Sequence, residues 1–443
     1  MAKASISRSL GLIVFAWLLV SSAAPLAVAQ QYETKPVDNK ARLLGPTAQN
    51  CVKVPARYAT DKDRFIEYFQ KYFFPALTRY EPNDLAELGK MRDELLSRYL
   101  WASRDERLQS DLTELAFAEL QPVGRSSKFH PAVRYNAILI LGMLDQTYPI
   151  QGGPNQRPPV PLKQATAELT LIVDYAAQDK PVPPFLVVGA LIGLQRHALY
   201  HDRLDRATVE AMSAAVLKLA AKDESLPEVD SKVAEWMRIQ AATVLANLGS
   251  PGPNGEVLTV LTKTIAGETV PKMSLDARCQ VAALLKQMKF EGAKVDGQAM
   301  AEALLQLAMA VGDSEGKQAK AFEDMQIPGG GFGGGYGGAP RGKGRLRLDP
   351  ETLQWEYDTR ILLARLGDLR TGLTAAKAIA PADKQPVFDA VLAAIAPAVA
   401  AAESSDTIDL TVAGEVLGMA AQIRNAIEPG SAPAEAADAS EAF

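Results

Sequence analysis

HPAVRYNAILILGMLD, residues 130–145, decides how this chain folds. From Arg134, apolar residues follow three, seven and ten positions on, at Ala137, Leu141 and Leu144. Those offsets place them on one stripe of a 3.6-residue helix. The same offsets recur along the chain. Arg238 leads to Ala241, Leu245 and Leu248; Arg278 leads to Val281, Leu285 and Met288. Pro184 leads to Val187, Leu191 and Leu194, and Glu356 to Thr359, Leu363 and Leu366. Between these anchored helices lie amphipathic segments at 162–177, 206–222, 255–266 and 298–311. Two alternating helix types at a period near forty residues predict stacked helix pairs.

The 130–145 segment resembles the second helix of a HEAT repeat, whose pattern runs Asp-Pro-x-Val-Arg, then Ala, Leu and Leu-Gly. EWMRIQAATVLANLG (235–249) and LDARCQVAALLKQM (275–288) resemble it too. The resemblance covers roughly residues 130–370. It implies an all-α, helical-pair solenoid with an extended binding surface. His130 stands where the pattern has Asp, and Pro184 and Glu356 stand where it has Arg. A continuous Asp–Arg ladder is therefore not expected.

Outside the repeats, residues 30–60 carry Pro36, Pro46 and Pro55 and read as an irregular segment. An N-terminal helical region at 61–129 opens with Phe65, Phe69, Tyr72 and Phe73 on one helix face. That spacing marks a packing face rather than a binding stripe. Two more helices are expected near 84–102 and 105–120. HEAT-like repeats fill 130–368, interrupted by a flexible Gly-rich insert at 312–348. Asp349-Pro350 should start the last repeat helix and Gly367 should stop it. Ala-rich helices at 369–427 then cap the stack, and residues 428–443 (EPGSAPAEAADASEAF) form a disordered acidic tail. Alternating β-branched runs are nearly absent, so sheet is a poor fit.

The N-terminus has the three parts of a signal peptide (1–29). Lys3 and Arg8 give a basic region, LGLIVFAWLLV an apolar run, and Ala27-Val28-Ala29 a cleavage pattern. Its removal would take the basic count from 47 to 45, against 52 acidic residues. A mildly acidic chain of this kind is not expected to bind nucleic acid as its main partner. The best later apolar stretch, 390–402, carries Pro397 and is too short for a membrane span. Cys51 and Cys279 are the only cysteines. They do not make a disulfide framework, and Cys279 reads as a small buried hydrophobe in a helix.

Candidate chemistry is sparse. The insert contains GGGFGGGYGGAPRGKGRLR (329–347), whose Phe332, Tyr336, Arg341, Lys343, Arg345 and Arg347 are the partner-binding candidates. Gly337 to Lys343 imitates a phosphate loop, but Gly344 stands where Ser or Thr is needed and no strand precedes it. His197 and His201, four apart with Asp202 and Asp205 close by, are the candidate metal ligands. No HExxH glutamate accompanies them, and a structural zinc site needs four ligands. No GxSxG elbow or Cys–His arrangement suggests a catalytic nucleophile, and no cofactor is implied. The sequence thus points to an exported, periplasmic or extracellular, non-enzymatic scaffold that binds a protein partner. A helical-solenoid enzyme acting on an envelope polymer is the alternative.

Overall fold

Prolines and short polar residues set the helix starts. Pro46, Pro55, Pro82, Pro131 and Pro184 each stand in a first turn, where a missing N–H costs nothing. Asp105, Asp205, Asp230, Ser274 and Asp409 accept backbone N–H groups as N-caps. His130 does the same through Nδ1, 3.2 Å from the Ala132 nitrogen. A computed structural model of the chain describes residues 31–150, 156–222, 229–290, 295–326, 350–405 and 408–429. About three quarters of them are helical, with almost no sheet.

In chain order the helices are α1 (Gly45–Lys53), α2 (Pro55–Tyr68), α3 (Pro82–Asp93), α4 (Glu106–Arg125) and α5 (Pro131–Leu141). Then come α6 (Lys163–Ala177), α7 (Pro184–Ala198), α8 (Arg206–Ala220), α9 (Ser231–Leu248) and α10 (Glu256–Ala266). The last five are α11 (Leu275–Leu284), α12 (Gly297–Gln326), α13 (Pro350–Ala376), α14 (Gln385–Glu403) and α15 (Leu410–Ile427). A π-helical turn, Phe69–Phe73, prolongs α2, and another, Glu94–Leu100, prolongs α3. One small antiparallel ladder joins β1 (Asp145–Thr147) to β2 (Val160–Pro161).

From α4 onward the helices pack in two rows. One row contains α4, α6, α8, α10, α12 and α15; the other contains α5, α7, α9, α11, α13 and α14. Successive members of a row touch, and a continuous apolar core lies between the rows. Chain order alternates between rows until α13. Then α14 stays beside α13, and α15 returns to pack on α12.

The three anchor arginines show why their spacing recurs. Arg134 donates from Nε to the Gly124 carbonyl at 3.1 Å, and Arg278 to the Ile265 carbonyl at 2.9 Å. Arg238 spans three carbonyls, those of Lys222, Val270 and Pro271, at 2.6 to 3.0 Å. Each is buried, and each satisfies backbone acceptors at or just beyond the end of a helix in the opposite row. These arginines thus bind backbone, not a ladder of aspartates. Arg238→Met is expected to cost about 3 kcal/mol, because three backbone carbonyls lose one charged donor. Urea denaturation checks this; a loss within about 0.5 kcal/mol of zero would contradict it.

Several sequence expectations need correction. Residues 30–60 are not irregular throughout, since helix begins at Ala41 and α1 and α2 follow. Pro46 and Pro55 start helices rather than prevent them. The expected start at Asp61 is instead a kink inside α2, where φ is −108° and ψ 17°. The insert does not begin at 312, because α12 runs on to Gln326. Gly312 and Gly316 lie on its face toward α15, and a Cβ on Gly316 would sit 3.0 Å from that of Ala420. Glycine there serves close packing, not flexibility. Gly367 does not stop α13, which crosses the expected repeat–cap boundary at 368/369. Pro397 does not break α14, which runs for 19 residues and contains an 18-residue stretch of mean hydropathy 1.5. Among the described residues it is the one helix long and apolar enough to cross a membrane, yet Phe388, Val391, Ile395 and Val399 are buried against its neighbours.

Other expectations agree with the structure. Phe65, Phe69 and Phe73 are buried in an aromatic cluster with Tyr68 and Tyr99, and Tyr72 packs at its edge. Cys51 and Cys279 are free, buried thiols, and burial pushes Cys279 up to about 12. Residues 1–29, 327–348 and 430–443, with their readings as signal peptide, insert and tail, lie outside the described residues.

Candidate binding surface

Neighbouring helices of the α4–α15 row leave two open grooves. The first, about 500 Å³, runs between α6 and α8 over Ala167, Thr170, Ala211 and Ala215. Alanine keeps its floor low while Lys163 and Asp205 close one part of the rim at 2.9 Å and Lys218 and Asp174 another at 3.0 Å. Lys163, first of all, and the Thr208 backbone and hydroxyl hold the Asp205 carboxyl well below the usual carboxylate range. The second groove, about 370 Å³, lies between α10 and α12. Leu258, Ala266, Ala299 and Ala303 form its apolar part, and Lys263, Glu268, Asp296 and Glu302 its polar part. A smaller cleft of about 300 Å³ lies at the other end of the chain, between α1 and the segment after α3.

Acid–base groups shifted mainly by burial lie elsewhere. Asp145 on β1 is fully buried and meets Arg196 Nη2 of α7 at 2.6 Å. Burial pushes its carboxyl up to about 6, and Arg196 only partly offsets this. Oδ1 of Asp145 has no hydrogen-bond partner among the described residues. Beside it His197 is fully buried, with Nδ1 3.0 Å from the Thr166 hydroxyl. Burial, with a smaller contribution from Arg196, brings the imidazole down to about 3, so it is neutral. Asp368, in α13, is likewise raised by burial and then by Asp276. None of these groups lines a groove described above.

The two candidate metal ligands do not converge. His197 points into the core, whereas His201 sits in a turn after α7 with Nδ1 2.9 Å from the Ala198 carbonyl. No set of three or more His, Cys, Asp or Glu side chains among the described residues could hold a metal ion. Phe332, Tyr336, Arg341, Lys343, Arg345 and Arg347 lie outside the described residues.

No family model, curated protein or solved structure matches this chain.

Sequence reasoning missed both grooves because neither carries a motif. A signal was present nonetheless. Ala207, Ala211 and Ala215 in α8, and Ala299 and Ala303 in α12, recur every fourth residue. That repeat puts small side chains on one helix face, and these residues line the grooves.

Proposed function

We propose that this chain is an exported, HEAT-like helical-pair solenoid that binds a protein partner in the cell envelope along the grooves of its α4–α15 row. The observation that carries this reading is the pair of alanine-floored grooves, one rimmed by ion pairs and the other by scattered charges. Ordered charges beside low apolar surface suit the docking of another chain's side chains. The signal-peptide pattern of residues 1–29 supports export, and the repeat spacing supports the solenoid. No described groove gathers a carboxyl raised toward neutrality, and Asp205 on the first groove's rim is lowered instead, so the scaffold reading stands ahead of an enzyme acting on an envelope polymer.

Photo-crosslinking groups placed at Ala211 and at Ala299 should capture the same protein from envelope extracts. Ala211→Arg, which fills the first groove at an open helix face, should lower recovery about tenfold or more while leaving the helical content unchanged. Capture of nothing specific from both positions would sink the scaffold reading.

A further inference from the structure

The third cleft lies where two helix ends converge. Its walls include Val52, Lys53 and Pro55 on one side, and Arg98, Ala102 and Arg104 on the other. No carboxylate lines it. Arg98 is paired with Glu94 at 2.8 Å. Lys53 and Arg104 have no ion-pair partner among the described residues. Cations near helix C-termini are favoured by the helix dipole, which accounts for Lys53 at the end of α1. It does not account for the rest.

The loop that presents Arg104 is held rigidly. Buried Gln109 donates to the Leu100 carbonyl at 2.8 Å and the Ser103 carbonyl at 3.0 Å. Asp105 caps α4 and pairs with Arg107. Trp101 in this fixed loop is 41% exposed, and Val54, between Lys53 and Pro55 in sequence, is 48% exposed. The result is a preorganised basic cleft with two exposed apolar residues next to its wall residues in sequence, suited to an anionic chain that carries an aromatic side chain.

The same sequence contains such a chain. Segment 430–443 holds Glu435, Asp438 and Glu441, no Lys or Arg, and Phe443. We propose that the Lys53–Arg104 cleft receives the acidic segment 430–443 of a second copy of this protein. Reach favours a second copy over the same one. The main packing partners of α1–α3 are one another and α4 and α5, whereas α14 and α15 pack on α12 and α13. Five helix spacings of about 9 Å separate α4 from α15 in their row, and the cleft lies beyond α4. Fourteen extended residues span at most about 48 Å, so reaching the cleft of the same copy would use up the whole segment and leave no carboxylates to lie in it. The contact is therefore head to tail, and such a contact builds chains of copies unless a ring closes. Carboxylates pair with Lys53 and Arg104, while Phe443 covers Trp101 and Val54.

Sedimentation velocity of the purified protein over concentrations up to about 100 μM tests this. Association is expected, and it should weaken with added salt because its ion pairs are exposed. Lys53→Glu with Arg104→Glu should lower the association constant about tenfold or more. Glu435→Lys, Asp438→Lys and Glu441→Lys together should do the same. Mixing the two reversed proteins should restore pairing between unlike copies, which loss of folding would not allow. A monomer at every concentration, association indifferent to both sets of substitutions, or failure of the mixture would each overturn the proposal.

Discussion

Gly193→Ala is expected to destabilise the fold by about 3 kcal/mol, although alanine is the better helix former. A Cβ built on Gly193 would lie 2.6 Å from Leu169 Cδ1 and 2.9 Å from the Cα of Gly142. One built on Gly142 would lie 2.6 Å from the Cα of Gly193. Here α7 crosses the end of α5 with backbone against backbone, so moving the Leu169 tip alone cannot relieve the clash. The helices must separate, and the core around Leu169 and Leu191 must loosen with them. Gly367→Ala is the matched control. It lies within α13 with nothing inside 4 Å of its Cβ position, so alanine there should stabilise by up to about 1 kcal/mol. Urea midpoints of the two variants should move in opposite directions. Equal shifts would show that the crossing is not close-packed.

The second large effect concerns acid. His197 is held down to about 3, against an ordinary value of 6.5. Its neutral form contributes stability that is complete above about pH 6.5 and is lost as the pH falls toward 3. Asp145 is pushed up to about 6 from 3.8, so the folded chain keeps a proton that the unfolded chain has released. Its contribution is complete below about pH 4 and is lost as the pH rises through 6. Each group alone changes stability by at most about 1.4 kcal/mol per pH unit, and between pH 4 and 6 the two slopes oppose each other. Asp145→Asn should therefore expose the histidine slope, with stability falling steeply from pH 6.5 to 4.5. His197→Gln should reverse the trend and make the fold firmer in mild acid. Denaturation midpoints at pH 7, 5.5 and 4.5 read the slopes directly, apart from any constant cost of either substitution. Parallel pH profiles for both variants would refute this account.

Where the sequence was informative, one period decided everything. The Arg134, Arg238 and Arg278 stripes and the intervening segments give α5 to α12 nearly residue by residue at their starts. Ends were less legible, because glycine and proline have two meanings. Gly316 lay in the expected flexible insert but is a contact point, as is Gly372, against Ala282 of α11 with only 2.8 Å for a Cβ. Pro46 and Pro55 looked like breakers but begin helices. Only the surrounding tertiary packing separates those cases. The grooves were less legible still. Thr170 and Ala211 are ordinary helix residues, and their place in a groove depends on which helices become neighbours. Lys53 and Arg104 gave no pattern either, since the cleft they share joins residues about fifty apart in sequence.

The return of α15 to α12 divides the chain by the distance its contacts must span. Up to α10, each helix finds its partners within one or two successors, so loops to be closed are short. Arg424 of α15, in contrast, reaches back 111 residues to Asp313 of α12. Long loop closure slows folding, which makes this end of the array the late-forming part. During synthesis the Gly312–Gly316 face of α12 stays without its cover until α15 has been made. The earlier pairs can be complete by then, leaving the last row contact as the step that seals the array.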